Sequence, residues 1–216
     1  MSNQTSHPGD SAVRYVAFLR GINLGKRRVQ MSRLRSLLEE LGVSDVATFI
    51  ASGNVIFSAI ETSIPRLEAA IAEHLEQALG YEVDTFVRTL ARVVAIAEST
   101  PFATPRDGES TYVTFLHNAL HARTASALAG IRSEHDRFAV EKLEYFWACS
   151  IRSSDSRIWA SPEIKSLSLP AGTTRNMTSI RKLVAAHGPA LTPARTPANT
   201  RANTRANSTH RGRKSL

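Results

Sequence analysis

Tyr15-Val-Ala-Phe-Leu19 and Tyr112-Val-Thr-Phe-Leu116 differ only at Ala17 against Thr114. Each reads as an apolar strand, and each is followed by a helical pattern and then by two more strand-like runs. The chain therefore reads as one α+β unit written twice. Its 216 residues, 42% of them hydrophobic, suffice for the cores that two such halves require.

In the first unit Leu34, Leu37, Leu38 and Leu41 share one face of a helix that begins near Met31 and stops at Gly42. Val46 to Ala51 and Val55 to Phe57 are strand-like runs about Ser52-Gly53-Asn54, residue types that make hairpin turns. Ser63 and Pro65 open a helix carrying Leu67, Ile71, Leu75 and Leu79, which Gly80 closes. Tyr81 to Val87 follows as a strand. The order β-α-β-β-α-β is the split βαβ arrangement of ferredoxin-like domains.

In the second unit a helix is expected around Ala122 to Ile131, then strands over Arg137 to Val140 and Glu144 to Ile151. Ser161 caps a short helix. Thr173 to Asn176 reads as the approach to a last helix, with Asn176 as its cap and Met177, Ile180, Leu183 and Val184 turned inward as far as Gly188-Pro189. The expected divisions are a first ferredoxin-like half over 13–90, a linking helix and loop over 91–109, a second half over 110–189 and a tail over 190–216.

That tail holds Arg195, Arg201, Arg205, Arg211, Arg213 and Lys214 with no acid, which is six of the eight net positive charges. It is rich in Thr, Ala, Asn and Pro, a composition that cannot bury enough surface to order itself, so disorder is expected. A basic tail can attract nucleic-acid phosphate non-specifically, and it can equally be an extension without a role. No run approaches the roughly 20 apolar residues of a membrane span, and Met1 to Asp10 carries no hydrophobic signal core. A cytoplasmic protein without membrane partners is expected. The single cysteine, Cys149, excludes an internal disulfide and reads as a buried strand residue.

Four segments carry a family likeness: Leu19-Arg-Gly-Ile-Asn-Leu-Gly-Lys26, Ser52-Gly-Asn-Val-Ile-Phe57, Ile158-Trp-Ala-Ser-Pro-Glu163 and Thr173-Thr-Arg-Asn176. In this order, across about residues 13 to 187, they resemble the bacterial domain of unknown function 1697 family. The chain departs from the usual family pattern at Gly25-Lys26, where paired glycines are common, and at Met177, where an aromatic residue is common. The resemblance implies a fold and a site location. It implies no reaction.

The first loop points to an anion. From Arg20 onward, Arg20, Lys26, Arg27, Arg28, Arg33 and Arg35 come with no acid among them before Glu39. Helix N-termini normally favour Asp or Glu, because the macrodipole places partial positive charge there. Cations gathered at such an end suit a phosphate or carboxylate ligand, and they equally suit separate solvated side chains screened by salt. The candidate ligand-binding residues are Arg20, Asn23, Lys26, Ser52, Asn54, Arg175 and Asn176, expected to line one concavity between the halves. Turn and cap chemistry alone also accounts for Ser52, Asn54 and Asn176.

No Walker loop, Rossmann fingerprint or metalloprotease helix is present, and no cofactor or metal is expected. His117 and His121 lack a completing ligand set. Trp147, Trp159 and Phe146 suit either a stacking surface or a core. Three function classes stay open. They are binding of an anionic small molecule or nucleic-acid phosphate, an enzyme on a small phosphorylated or carboxylated substrate, and an interaction module without a ligand.

Overall fold

Every residue from Tyr15 to Leu19 is buried, so this strand has no solvent face and must be covered on both sides. The computed structural model, which describes residues 12–188 apart from 24, 26, 51, 52, 105 and 107, shows what covers it. The first half runs β1 (Val13–Leu19), α1 (Met31–Glu39), β2 (Ser44–Phe49), β3 (Asn54–Ala59), α2 (Ile64–Leu79), β4 (Thr85–Thr89) and α3 (Leu90–Glu98). The second runs β5 (Ser110–Phe115), α4 (Ala122–Gly130), β6 (Asp136–Glu141), β7 (Glu144–Cys149), α5 (Pro162–Ser166), β8 (Thr173–Asn176) and α6 (Met177–His187). A single 3₁₀ turn, Ile158–Ala160, precedes α5.

The strands form two four-stranded sheets, ordered β2-β3-β1-β4 and β6-β7-β5-β8. All pairings are antiparallel. This is the split βαβ order twice over. On β1 the alternation decides the layers. Tyr15, Ala17 and Leu19 pack with α1 and α2, whereas Val16 and Phe18 face a shared core with α3, α6 and the second sheet. A third cluster lies on the far side of the second sheet around Leu128, Trp147 and Ile164.

The pairings of β1 and β5 match residue for residue, whereas β2–β3 carries an irregularity between Ser44 and Ala47 that β6–β7 lacks. Tyr15 stands opposite Phe57 and Thr89, and Tyr112 stands opposite Trp147 and Asn176. Their rings stack on those partners at 5.7 and 4.9 Å. Three residues along, Phe18 and Phe115 stack on each other across the shared core, with centroids 4.0 Å apart and planes 10° apart.

Helix α3 belongs to this repeat as well as to the connection. Thr89 caps it through a bond from Arg92 N, and Asn176 caps α6 through one from Thr178 N. Each helix follows the fourth strand of its sheet, and the two pack together. The segment Thr173–Asn176, read in the sequence as a helix approach, is also the edge strand β8, paired along β5. Its Thr-Thr-Arg-Asn composition lacks strand patterning because one face is exposed and the other serves polar contacts. Gly80 closes α2 in the left-handed conformation, at φ 75°. Cys149 is buried on β7. The basic tail lies outside the described residues, and among those residues no helix is long and apolar enough to cross a membrane.

Candidate functional site

β1 leaves its sheet at Arg20, and the turn before β3 comes up against it. Gly53 has φ 72°, and a Cβ there would stand 2.8 Å from Ile22 Cγ2 and 3.2 Å from the Leu19 carbonyl oxygen. Glycine is therefore required for two reasons, conformation and close approach. Leu19 N donates to the Gly53 carbonyl at 2.8 Å, which fastens turn to strand. The loop beyond is tied at both ends. Val29 N donates to Asn23 Oδ1 at 2.8 Å, and the Tyr81 hydroxyl donates to the Ile22 carbonyl at 3.1 Å.

Arg175, on β8, reaches from the second half into this junction. Its Nε donates to Asn54 Oδ1 at 2.7 Å and its Nη2 to the Leu19 carbonyl at 2.8 Å. Nη1 serves Thr173 Oγ1 and the Thr174 carbonyl. The guanidinium lies 5.8 Å from the Phe18 ring. Burial pushes its pKa down to about 10, which leaves it charged at neutral pH.

The repeat supplies a mirror of this contact. Arg88 stands opposite Val16 in the first sheet as Arg175 stands opposite Val113 in the second. Arg88 reaches into the second half, donating from Nε to Glu144 Oε1 at 2.6 Å, from Nη2 to the Leu116 carbonyl at 2.6 Å and from Nη1 to the Val87 carbonyl at 2.8 Å. Glu144 faces Phe115 in register as Asn54 faces Phe18. The two clasps share an Nε bond to a side chain of the other half, an Nη1 bond to the preceding carbonyl and an Nη2 bond to a carbonyl at the end of the facing strand, but one arginine meets a carboxylate and the other a carboxamide.

Ionic contacts extend the carboxylate side. Arg92 Nη2 holds the second oxygen of Glu144 at 2.6 Å, and Glu68 lies 3.8 Å from Arg88. His117, which follows β5 as Arg20 follows β1, places Nδ1 2.9 Å from Glu68 Oε2 and Nε2 2.9 Å from Asp84 Oδ1. It stacks on Phe86 at 4.1 Å. Burial lowers the His117 pKa, but the bonds to Asp84 and Glu68 outweigh it and the net shift is upward. Arg20 meets the other oxygen of Asp84 at 3.7 Å, with half its side chain in solvent.

Residues 13–146 match a family described as a protein of unknown function, DUF1697. The chain belongs to that family. The fold is also that of a conserved bacterial protein from Streptococcus pneumoniae, with a TM-score of 0.63 and 23% identity over 81% of this chain and 99% of that one. Among curated proteins nothing matches.

Of the family segments quoted above, Leu19 to Ile22, Gly53-Asn54 and Thr173 to Asn176 meet at this junction. Asn54 and Arg175 touch directly, and the Leu19 carbonyl links them to Arg20. Asn23 works as a loop tie and Asn176 as the α6 cap. Lys26 and Ser52 lie outside the described residues. Among the neighbouring cations, Arg27 sits 4.2 Å over the Tyr81 ring, Arg28 bonds the carbonyls of Gly25 and Arg27, and Arg33 pairs with Glu40. Helix α1 starts with no acid in its first turn and no side-chain cap. Glu68, Arg88, Arg92 and Glu144 escaped sequence reasoning, and His117, weighed there only as a metal ligand, instead bonds Glu68 and Asp84. No sequence signal finds Arg88: the stretch from Tyr15 to Arg88 is longer than that from Tyr112 to Arg175, so only the sheet registers make the two arginines counterparts.

Proposed function

We propose that the protein binds a small anionic ligand, bearing phosphate or carboxylate, where the first loop and β8 meet. Arg20 and Asn23 stand at its rim and Asn54 and Arg175 at its base, with Asn176 next along β8 as the α6 cap; Lys26 and Ser52, outside the described residues, are the remaining candidates from the sequence. The observation that carries this reading is that Asn54 stands where the corresponding clasp, in matching register, has Glu144. A carboxamide accepts the same hydrogen bond as a carboxylate without bringing its charge, so this junction keeps a positive potential that its mirror has quenched. Exposed Arg20, Arg27, Arg28 and Arg35 add to that potential from the loop and α1.

Asn54→Asp tests it directly. The substitution keeps size and Oδ1, gives up the long 3.4 Å bond from Nδ2 to the Phe49 carbonyl, and installs the charge that the mirror carries. Inorganic phosphate, sugar phosphates and short RNA would be titrated calorimetrically against the full chain. Affinity for one of them is expected to fall in Asn54→Asp while thermal stability holds. Arg20→Lys keeps charge and loses the planar fork, and is expected to weaken binding by on the order of 1–3 kcal/mol. Equal anion affinity in wild type and Asn54→Asp defeats the proposal, and binding of RNA alone, falling steeply with salt, moves it from a small ligand to a nucleic-acid backbone.

A further inference from the structure

A cavity of about 220 Å³ lies under the connection between the halves, where Phe102, Arg106 and Glu109 of that connection meet Thr111 on β5, Arg137 on β6 and Arg181 on α6. It shares no residue with the junction just described. Three arginines surround one glutamate there.

Arg137 and Glu109 form its centre. Arg137 Nη2 and Glu109 Oε2 are in contact, and the two side chains are only 11% and 5% exposed. The pair uses one atom of each partner. Arg137 Nε and Glu109 Oε1 are buried and make no hydrogen bond among the described residues. A buried donor and a buried acceptor without partners destabilise the fold unless something else satisfies them. A hydroxyl has the matching chemistry, because it accepts from a guanidinium and donates to a carboxylate.

The surroundings define the remainder of an occupant. Arg106 stands 4.0 Å from Glu109 Oε1 with half its side chain exposed. Arg181 lines the same cavity, and its one side-chain bond among the described residues runs from Nε to the Ala97 carbonyl at 3.2 Å. Both can present Nη groups to an oxyanion in the bidentate way that suits carboxylates. The Phe102 ring, with Arg137 stacked over it at 4.5 Å, supplies an apolar wall. The volume falls below the roughly 300–1,000 Å³ of drug-sized sites, which limits the occupant to a few carbons.

We infer that this cavity is a second ligand site, specific for a small 2-hydroxycarboxylate. The hydroxyl bridges the unused atoms of the Arg137–Glu109 pair, the carboxylate lies between Arg106 and Arg181, and the carbon body rests on Phe102. A bound water satisfies the same two buried atoms, so the test must separate ligand from water.

Lactate and propionate differ only in the hydroxyl, and both would be titrated calorimetrically into the full-length protein. Lactate is expected to bind about tenfold or more tightly than propionate. Arg106→Ala removes an exposed side chain without touching the core, and should weaken lactate by about tenfold. Glu109→Gln, checked for folding by circular dichroism, should narrow the preference for lactate over propionate without abolishing it, because the amide accepts the hydroxyl's bond without charge assistance. Asn54→Asp should leave lactate binding intact, so this site stands or falls independently of the junction. Equal affinities for the two acids in the wild type, no saturable binding of lactate, or lactate binding unaffected by Arg106→Ala each overturn the assignment and leave the buried pair to water.

Discussion

The Arg88 and Arg175 clasps begin from the same geometry and end in different chemistry. Both arginines stand on the fourth strand of one sheet and donate to a carbonyl at the end of the central strand of the other. Both lie beside the ring of one of the paired phenylalanines. Around Arg88 the protein has assembled Glu144, Glu68 and Arg92, and the ion pair is almost fully buried, at 3% and 1% exposure. Around Arg175 it has placed Asn54 and two threonine oxygens. A duplicated fold thus retains hydrogen-bond geometry in both copies while the charge diverges. One junction is locked by a buried ion pair, and the other holds its arginine with neutral acceptors.

Breaking the lock should have the larger effect. Glu144→Gln leaves Arg88 and Arg92 facing a neutral amide inside the protein, and removal of one partner of a buried pair costs about 3–5 kcal/mol. Denaturant unfolding should show that loss. Asn54→Ala removes a neutral acceptor and should cost about 1–2 kcal/mol. If the two substitutions prove equally costly, charge is not what distinguishes the junctions.

Gly53→Ala tests a feature of the Arg175 side alone. Its left-handed backbone and the 2.8 Å approach to Ile22 mean that an added methyl displaces the turn from β1. A stability loss of about 1–2 kcal/mol is expected. Unchanged stability would show that the turn is free to move, and would weaken the idea of a preformed rim.

The smallest effect belongs to His117. Its folded pKa is raised, so the stability that it contributes is complete below its unfolded value, about 6.5, and is lost as pH rises through the folded value. Neutral imidazole has one N–H, so one of the bonds to Glu68 and Asp84 must then be given up. The wild type should lose stability relative to His117→Asn as the pH is raised above about 6.5. Parallel pH profiles for the two proteins would show that the histidine does not join the halves energetically.

The fold was legible where one residue type decides one local outcome. The paired Tyr-Val-x-Phe-Leu strands, the leucine face of α2, Gly80 as its stop and Asn176 as a cap depend on burial or backbone geometry within a few residues. Strand β8 was hidden because its four polar residues become a strand only by pairing with β5. The lock was hidden for a related reason: Arg88 and Glu144 lie 56 residues apart and neither has a local signature. The candidate site was partly legible. The cations of the first loop and the Gly53 turn stood out in the sequence. That Arg175 meets Asn54, 121 residues away, follows only from how the two sheets face each other.

The stack of Phe18 on Phe115 joins two copies of the same strand position, so each half offers the other a nearly self-complementary face, as two subunits of a symmetric dimer do. Such a face does not distinguish a partner half on its own chain from the same half on another chain. What favours the internal pairing is effective concentration, set by the short connection after α3. Lengthening or cutting that connection would leave the Phe18–Phe115 stack and both arginine clasps in place, and would turn an intramolecular equilibrium into one that depends on how much protein is present.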